Sequence, residues 1–213
     1  IKGFKRKVVF STNIAETSVT ISGVKFVVDS GLRKVKVWRH QLGLATLLTV
    51  PISQASAMQR SGRAGRESEG KSFRLYCESD YVKLPKQSEP EIARSDVTSP
   101  VLMLKRYGVD DLLNWTWFEN PGKEAIVMGL QELYELGALD TRGKITKRGQ
   151  QMALLPLQPH LSSVLIKASE VGCLSQVIDI VSCLSVENLL LNPSPEERDE
   201  VNERRLSLCN AGK

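Results

Sequence analysis

The stretch Gln59-Arg60-Ser61-Gly62-Arg63-Ala64-Gly65-Arg66 constrains this chain more than any other, because it holds the densest cluster of guanidinium groups in the sequence. The approach to it, Pro51-Ile52-Ser53-Gln54-Ala55-Ser56-Ala57-Met58, reads as a helix capped by Ser53, whose hydroxyl can accept from a free N–H of the first turn. On a continued helix Gln59, Arg63 and Arg66 stand at i, i+4 and i+7 and project from one face. Gly62 and Gly65 each cost such a helix about 1 kcal/mol relative to alanine, which predicts close backbone approach or an unusual backbone angle there. Arginine offers planar, permanently charged donors that match phosphate oxygens, so a polyphosphate is the first ligand to consider. The plainer alternative is a basic turn against an acidic neighbour or an RNA backbone, and spacing alone leaves both open.

Composition narrows the class of partner. The chain has 213 residues, 41% hydrophobic and 25% charged, enough for one good core or two small ones in a globular protein. A net charge of +5 and a pI near 9.0 favour an anionic partner. Nothing resembles a transmembrane helix or a signal peptide. Cys77, Cys173, Cys183 and Cys209 have no CxxC spacing, and His40 and His160 lie far apart, so the cysteines read as reduced intracellular thiols and no metal ligand is assigned. The opening at Ile1 and the close at Leu206 to Lys213 read as cuts in a longer protein.

Taken in order, Val8-Val9-Phe10 reads as a buried strand. The polar stretch from Ser11 to Ile21 follows it, placing hydroxyls and amides where open α/β sheets bind ligands; a simple helix cap at Thr12 or Asn13 is the alternative. Val24 to Val28 reads as a second strand ending at the Asp29-Ser30-Gly31 turn, and strand, loop and strand together suggest a parallel sheet. Leu32 to Trp38 and Leu44 to Val50 form a hairpin, with Lys34 and Lys36 on a basic face opposite Val35 and Val37. That face suits a nucleic acid, or simply guards a solvated edge. Lys71 to Tyr76 reads as the last strand of the sheet.

From Glu78 to Ser99 the prolines among charged residues predict a linker. Ser99 caps a helix that begins at Pro100 and stops at Gly108. A second helix covers Lys123 to Leu136, with Ile126, Leu130 and Leu133 on one stripe and Gly137 as its stop. Two short strands then flank Thr141-Arg142-Gly143, and a last helix runs from Lys147 to Leu155. This is the outline of a winged helix, but Glu124, Glu132 and Glu135 make its candidate recognition helix acidic, so it reads as a packing module. Leu161 to Ala168 and Val177 to Leu184 carry helical periods, and Glu196 to Arg205 reads as a solvated helix. The fold class is therefore α/β, a partial parallel sheet followed by an α-rich winged helix and the start of a helical bundle, with divisions at 1–88, 89–157 and 158–213.

Beyond this reading, Ser11-Thr12-Asn13-Ile14-Ala15-Glu16-Thr17-Ser18 resembles motif V, and Gln59 to Arg66 resembles motif VI, of the DEAH-box RNA helicases of superfamily 2. The resemblance continues through Arg74-Leu75-Tyr76, Pro90 to Arg94 and Leu136 to Asp140. It implies an ATP-dependent RNA helicase whose nucleotide lies between two RecA-like domains, this chain supplying the later part of the second. By resemblance Arg63 and Arg66 are arginine fingers and Gln59 positions the attacking water. Thr20 and Ser22 fall where the family contacts the nucleotide, although many relatives carry aspartate at the Ser22 position. Thr12 and Asn13 match positions that touch the RNA backbone, and the hairpin bearing Lys34 and Lys36 matches one near the RNA strand junction.

The sequence holds neither a GxxxxGK[ST] loop nor a DEAH motif, so Mg2+ ligands for ATP are expected in the first RecA-like domain and the chain alone is expected to be inactive. The resemblance also implies a glycine-patch protein as activator. The stretch from Ile180 to Val186 is similar to ribosome-biogenesis members, implying rRNA or an RNP as substrate and a nuclear or nucleolar location. The competing expectation is a non-catalytic scaffold that binds RNA or protein.

Overall fold

A computed structural model describes residues 6–186 and 193–210. The N-terminal part is built on two separate two-stranded sheets. Strands β1 (Phe26–Asp29) and β4 (Lys71–Arg74) pair in parallel with Phe26 opposite Lys71 and Asp29 opposite Arg74. Strands β2 (Leu32–Arg39) and β3 (Leu44–Pro51) form the antiparallel hairpin, joined by a 3-10 turn over His40–Leu42. The expected parallel sheet is present, but its strands are β1 and β4. Val8-Val9-Phe10 is not a strand: the stretch pairs with no strand among the described residues, and Phe10 is 95% exposed. An apolar run becomes a strand only beside a partner ladder, and these residues find none.

Between Phe10 and β1 lies the single-turn helix α1 (Ile14–Thr17), which buries none of its residues. Helix α2 (Gln54–Ser61) follows the hairpin and is capped as the sequence predicts, the Ser53 hydroxyl accepting from the Ser56 N–H at 3.1 Å. The glycine expectation moves elsewhere. Gly62 has an ordinary helical φ of −61°, and space is open around Gly65. Close approach occurs instead at Gly70, where a Cβ would collide with the carbonyl oxygens of Ala64 and Lys25, and at Gly31. The latter has φ +73° and a Tyr76 ring carbon 2.7 Å from where a Cβ would sit.

The predicted linker contains helix α3 (Glu78–Lys83) and a 3-10 turn over Glu91–Arg94. The Gln54 side-chain amide fastens the end of α3 by donating to the Tyr81, Val82 and Leu84 carbonyls. Helix α4 (Thr98–Arg106) starts earlier than the Ser99 cap predicts. Asp96 captures both the N–H and the hydroxyl of Thr98, at 3.0 and 2.7 Å, so its carboxylate orders the start.

Helix α5 (Lys123–Glu135) matches its prediction closely, with Ile126 and Leu133 buried and Gly137 at φ +71° ending it. The two predicted short strands shrink to a single bridge, Leu139 to Ile145, around a turn closed by the Gly143 N–H on the Asp140 carbonyl. Helix α6 (Lys147–Met152), capped by Thr146, ends before Leu155. Val101, Leu102, Leu112, Ile126, Leu133, Leu139 and Met152 close into the main core.

Helix α7 (Pro159–Val171) presses Ile166 against that core and ends at Gly172 in the left-handed region. Helices α8 (Leu174–Leu184) and α9 (Arg198–Asn210) complete the described chain. Leu206 to Asn210, which suggested no element in the sequence, continue α9; the Glu196 to Arg205 helix expectation holds from Arg198. Residues 211–213 lie outside the described residues.

Leu133 is fully buried at the centre of this core. Leu133→Ala is expected to destabilise the protein by about 2–5 kcal/mol in chemical denaturation, whereas Phe118→Ala, at a fully exposed ring, stays within about 0.5 kcal/mol of wild type.

Candidate functional site

The arginine cluster leaves its helix before it reaches the site. Helix α2 stops at Ser61, and the Arg63 and Ala64 N–H groups turn back onto the Arg60 and Ser61 carbonyls, both at 3.1 Å. Gln59, Arg63 and Arg66 therefore do not share one helical face. The tighter turn still brings all three to one place, because they line a cleft of about 330 Å3 together with Thr17 and Gly62.

The opposite wall is the polar loop. Arg63 donates through Nη2 to the backbone carbonyl of Glu16, while its buried Nη1 has no hydrogen-bond partner among the described residues. Arg66 Nη1 donates to the Thr20 hydroxyl at 2.7 Å. The loop is also tied from below: the Gly23 N–H donates to Glu67 at 3.0 Å. A guanidinium with an unsatisfied buried N–H retains the capacity to take an anionic oxygen, since leaving such a donor unpaired costs about 1–3 kcal/mol. Arg63 and Arg66 bring two permanent cations to the lining of one cleft, and this is what suits a polyphosphate.

Arg60 behaves differently from its neighbours. Its Nε reaches Glu16 at 3.1 Å, and its Nη1 reaches Asp29 at 2.7 Å and the Leu32 carbonyl at 3.1 Å. The side chains of Arg60, Glu16 and Asp29 are only 14%, 11% and 1% exposed. Burial works against the Arg60 charge, but the hydrogen bonds to Asp29 and Glu16 outweigh it and its pKa rises. Asp29 further accepts from the Gly31 N–H at 3.0 Å and from the Tyr76 hydroxyl at 3.1 Å. Burial, reinforced by the Asp29 charge, pushes the Tyr76 phenol up to about 12.

The remaining predicted residues spread over three places. Ser22 occupies an exposed turn and does not line the cleft. Thr12 and Asn13 open α1: Thr12 Oγ1 accepts from the Ile14 N–H at 3.4 Å, and the exposed Asn13 precedes the helix without capping it. Lys34 and Lys36 are exposed on one face of β2, opposite Thr49 and Leu47. The hairpin carrying them touches the later part of the chain. Arg94 Nη1 donates to the Lys36 carbonyl at 3.1 Å, and Gln41 donates to Glu124 on α5 at 3.3 Å.

Sequence reasoning missed Thr17 as a cleft residue, and missed Glu16, Asp29 and Tyr76 as partners of the cluster. The Asp29 signal was available, a carboxylate at the carboxyl end of a strand, but the Ser30-Gly31 that follows made it read as a turn. Among the described residues no group of three or more His, Cys, Asp or Glu side chains could hold a metal ion, and no helix is long and apolar enough to cross a membrane.

Three sequence families align along the chain: the helicase conserved C-terminal domain over residues 1–68, the winged-helix part of the helicase-associated domain HA2 over 129–157, and its ratchet-like part over 158–212. Among curated proteins, the chain is 45% identical over 207 residues to the pre-mRNA-splicing factor ATP-dependent RNA helicase prp22 of Schizosaccharomyces pombe, covering 96% of this chain and 18% of that protein. It is 44% identical over 196 residues to the pre-mRNA-splicing factor ATP-dependent RNA helicase DEAH10 of Arabidopsis thaliana, covering 92% of this chain and 27% of that one. In structure it is similar to the DExH-box NTPase HrpB of E. coli, with TM-score 0.76 and 31% identity over 92% of this chain and 26% of that chain. The chain thus spans about a quarter or less of the length of these relatives. The expected similarity to ribosome-biogenesis members is not what these curated relatives carry, since both are named as splicing factors. Consecutive helicase C-terminal, winged-helix and ratchet-like segments on a partial parallel sheet place the chain in the DEAH-box RNA helicase family, as the C-terminal part of the second RecA-like domain with the HA2 region that follows it.

Proposed function

We propose that the full-length protein is an ATP-dependent RNA helicase and that this segment supplies the arginine half of its ATP site. The observation that carries the proposal is the cleft in which Gln59, Arg63 and Arg66 meet Thr17. Phosphoryl transfer spreads charge over the equatorial oxygens of the γ-phosphate, and fixed cations stabilise it without reorganisation. Arg63 and Arg66 act as the fingers, and Gln59 orients the attacking water. Thr20, already against Arg66, lies toward the nucleotide, with Ser22 a more distant contact. The magnesium accompanying ATP takes its ligands from the first RecA-like domain, and the lone segment does not hydrolyse ATP.

RNA runs past the other end of the same loop. Thr12 and Asn13 contact its backbone, and Lys34 and Lys36 add charge on the hairpin near the strand junction. Opening and closing of the RecA-like cleft moves the strand or remodels an RNP. The functional divisions are 1–88, 89–157 and 158–213, with the winged helix as a packing module whose acidic α5 receives the hairpin tip. The names of the splicing-factor relatives favour a spliceosomal or related nuclear RNP as substrate over rRNA and the nucleolus. A glycine-patch protein as activator rests on the family resemblance alone.

In the full-length protein Arg63→Ala is expected to lower ATP hydrolysis by roughly 10³–10⁵-fold. Hydrolysis by the variant at the wild-type rate refutes the finger assignment; absence of hydrolysis by the wild-type full-length protein favours the non-catalytic scaffold. The double variant Lys34→Ala/Lys36→Ala is expected to weaken single-stranded RNA binding equally across sequences. It should also lower the salt slope of the binding constant by about 0.7 per lysine in a titration from low to moderate salt; an unchanged slope removes these lysines from the RNA path.

A further inference from the structure

The winged-helix region presents two faces of opposite charge. Helix α5 carries Glu124, Glu132 and Glu135, and Glu124 takes the hairpin through Gln41. Past the C-terminal end of α5 the chain runs through Gly137 into the turn Asp140-Thr141-Arg142-Gly143-Lys144, and Lys147 opens α6 just beyond it. Arg142, Lys144 and Lys147 are exposed, and among the described residues their side chains take part in no hydrogen bond or salt bridge. The ATP site and the RNA contacts proposed above use none of these three cations.

The turn holds its backbone closed without using those side chains. The bridge from Leu139 to Ile145 closes its base, and the Asp140 N–H donates to the Lys144 carbonyl at 2.8 Å. Asp140 Oδ1 accepts from the N–H groups of Arg142 and Lys144 at 2.8 and 2.9 Å, so its carboxylate is spent on backbone. Neighbouring carboxylates are engaged as well. Asp111 accepts from the Asn114 backbone and amide, and Glu170 takes Lys167 at 2.9 Å and Arg148 at 3.9 Å. Asp110 and Asp111 act on the buried Lys105 ammonium, which lies 3.9 Å from the place of a Gly143 Cβ. The three outward cations therefore face solvent from a turn that is already ordered, and an anion meets them without having to order the backbone.

Resting on the helicase reading above, we propose that Arg142, Lys144 and Lys147 form a second RNA contact, which takes the phosphate backbone of RNA flanking the strand on the hairpin. Charge without an apolar anchor favours a phosphate backbone over an acidic protein. Thr141 and Gly143, between and beside the cations, are small, and Ile145 packs against the core, whereas protein interfaces centre on aromatic or other apolar anchors. The thirteen residues of α5 span about 20 Å, which separates the turn from Glu124, where the hairpin docks. A strand therefore has to be long to reach both places. The contact reads no sequence, because cations on phosphates position a strand without reading its bases.

The test compares full-length wild type with the triple variant Arg142→Ala/Lys144→Ala/Lys147→Ala and with the charge-keeping variant Arg142→Lys/Lys144→Arg/Lys147→Arg. Binding is titrated with salt for a short oligouridylate and for one several times longer, and thermal midpoints are measured alongside. In the alanine variant the salt slope for the longer strand is expected to fall by about 0.7 for each cation removed, while binding of the short strand and the thermal midpoint stay as in wild type. The charge-keeping variant is expected to bind both strands as wild type does. An unchanged slope for the longer strand overturns this inference alone and leaves the turn to an acidic protein. Equal loss on both strands denies a separate contact, and a lowered thermal midpoint in the alanine variant reduces the cations to a structural role; either overturns it too. A wild-type protein that binds neither strand overturns the helicase reading and this inference with it.

Discussion

The largely buried guanidinium of Arg60 ties together three separate elements of the N-terminal part. It joins α2 to the end of β1 through Asp29, to the start of the hairpin through the Leu32 carbonyl, and to α1 through Glu16. Among the described residues the parallel sheet consists of β1 and β4, and Phe26, Val28 and Phe73 on those strands are half-exposed or more, so apolar burial alone does little to orient the surrounding loops. Asp29 is the buried member of this network, so removing Arg60 leaves a desolvated carboxylate without its cation and costs stability. Asp29 accepts additional hydrogen bonds from Gly31 and Tyr76, which satisfies the carboxylate that Arg60 charges against. The glycine at position 31 is required by the same junction, since the Tyr76 ring occupies the place of a side chain.

With Arg60 fixed, the rest of the cluster acquires its function by contrast. Three arginines spaced every three residues look equivalent in the sequence, yet the structure divides them into one that is neutralised and two that face weak acceptors beside a cleft. The division follows from which groups the fold brings opposite each one. The C-terminal end of α2 tightens after Ser61, directing Arg63 and Arg66 toward the loop, while Arg60, still in the helix, points down onto Asp29. At the turn of the hairpin Gln41 donates to Glu124 on α5, which ties the hairpin to the later part of the chain.

Local signals were legible wherever a side chain acts on its own backbone. Ser53 as a cap, Gly137 as a stop, the alternation of β2 and the stripe of Ile126 and Leu133 on α5 could all be read directly from the sequence. What was illegible depends on partners distant along the chain. Val8 to Phe10 reads as a strand because its composition suits one, but pairing is a tertiary property and no ladder among the described residues receives it. The role of Gly70 is set by the carbonyls of Lys25 and Ala64, and the role of Asp29 by Arg60 and Tyr76, none of which is adjacent to it. The cleft itself was legible in its residues and misread in its geometry, since Gln59, Arg63 and Arg66 converge through a turn and not along a helix.

The most direct measurement is a structure of the full-length protein bound to an ATP analogue that mimics the γ-phosphate. The division of the cluster predicts that Arg60 remains on Asp29 and Glu16 while Arg63 leaves the Glu16 carbonyl for an oxygen of the analogue. Arg63 still on that carbonyl, or Arg60 drawn onto the phosphate, would contradict it.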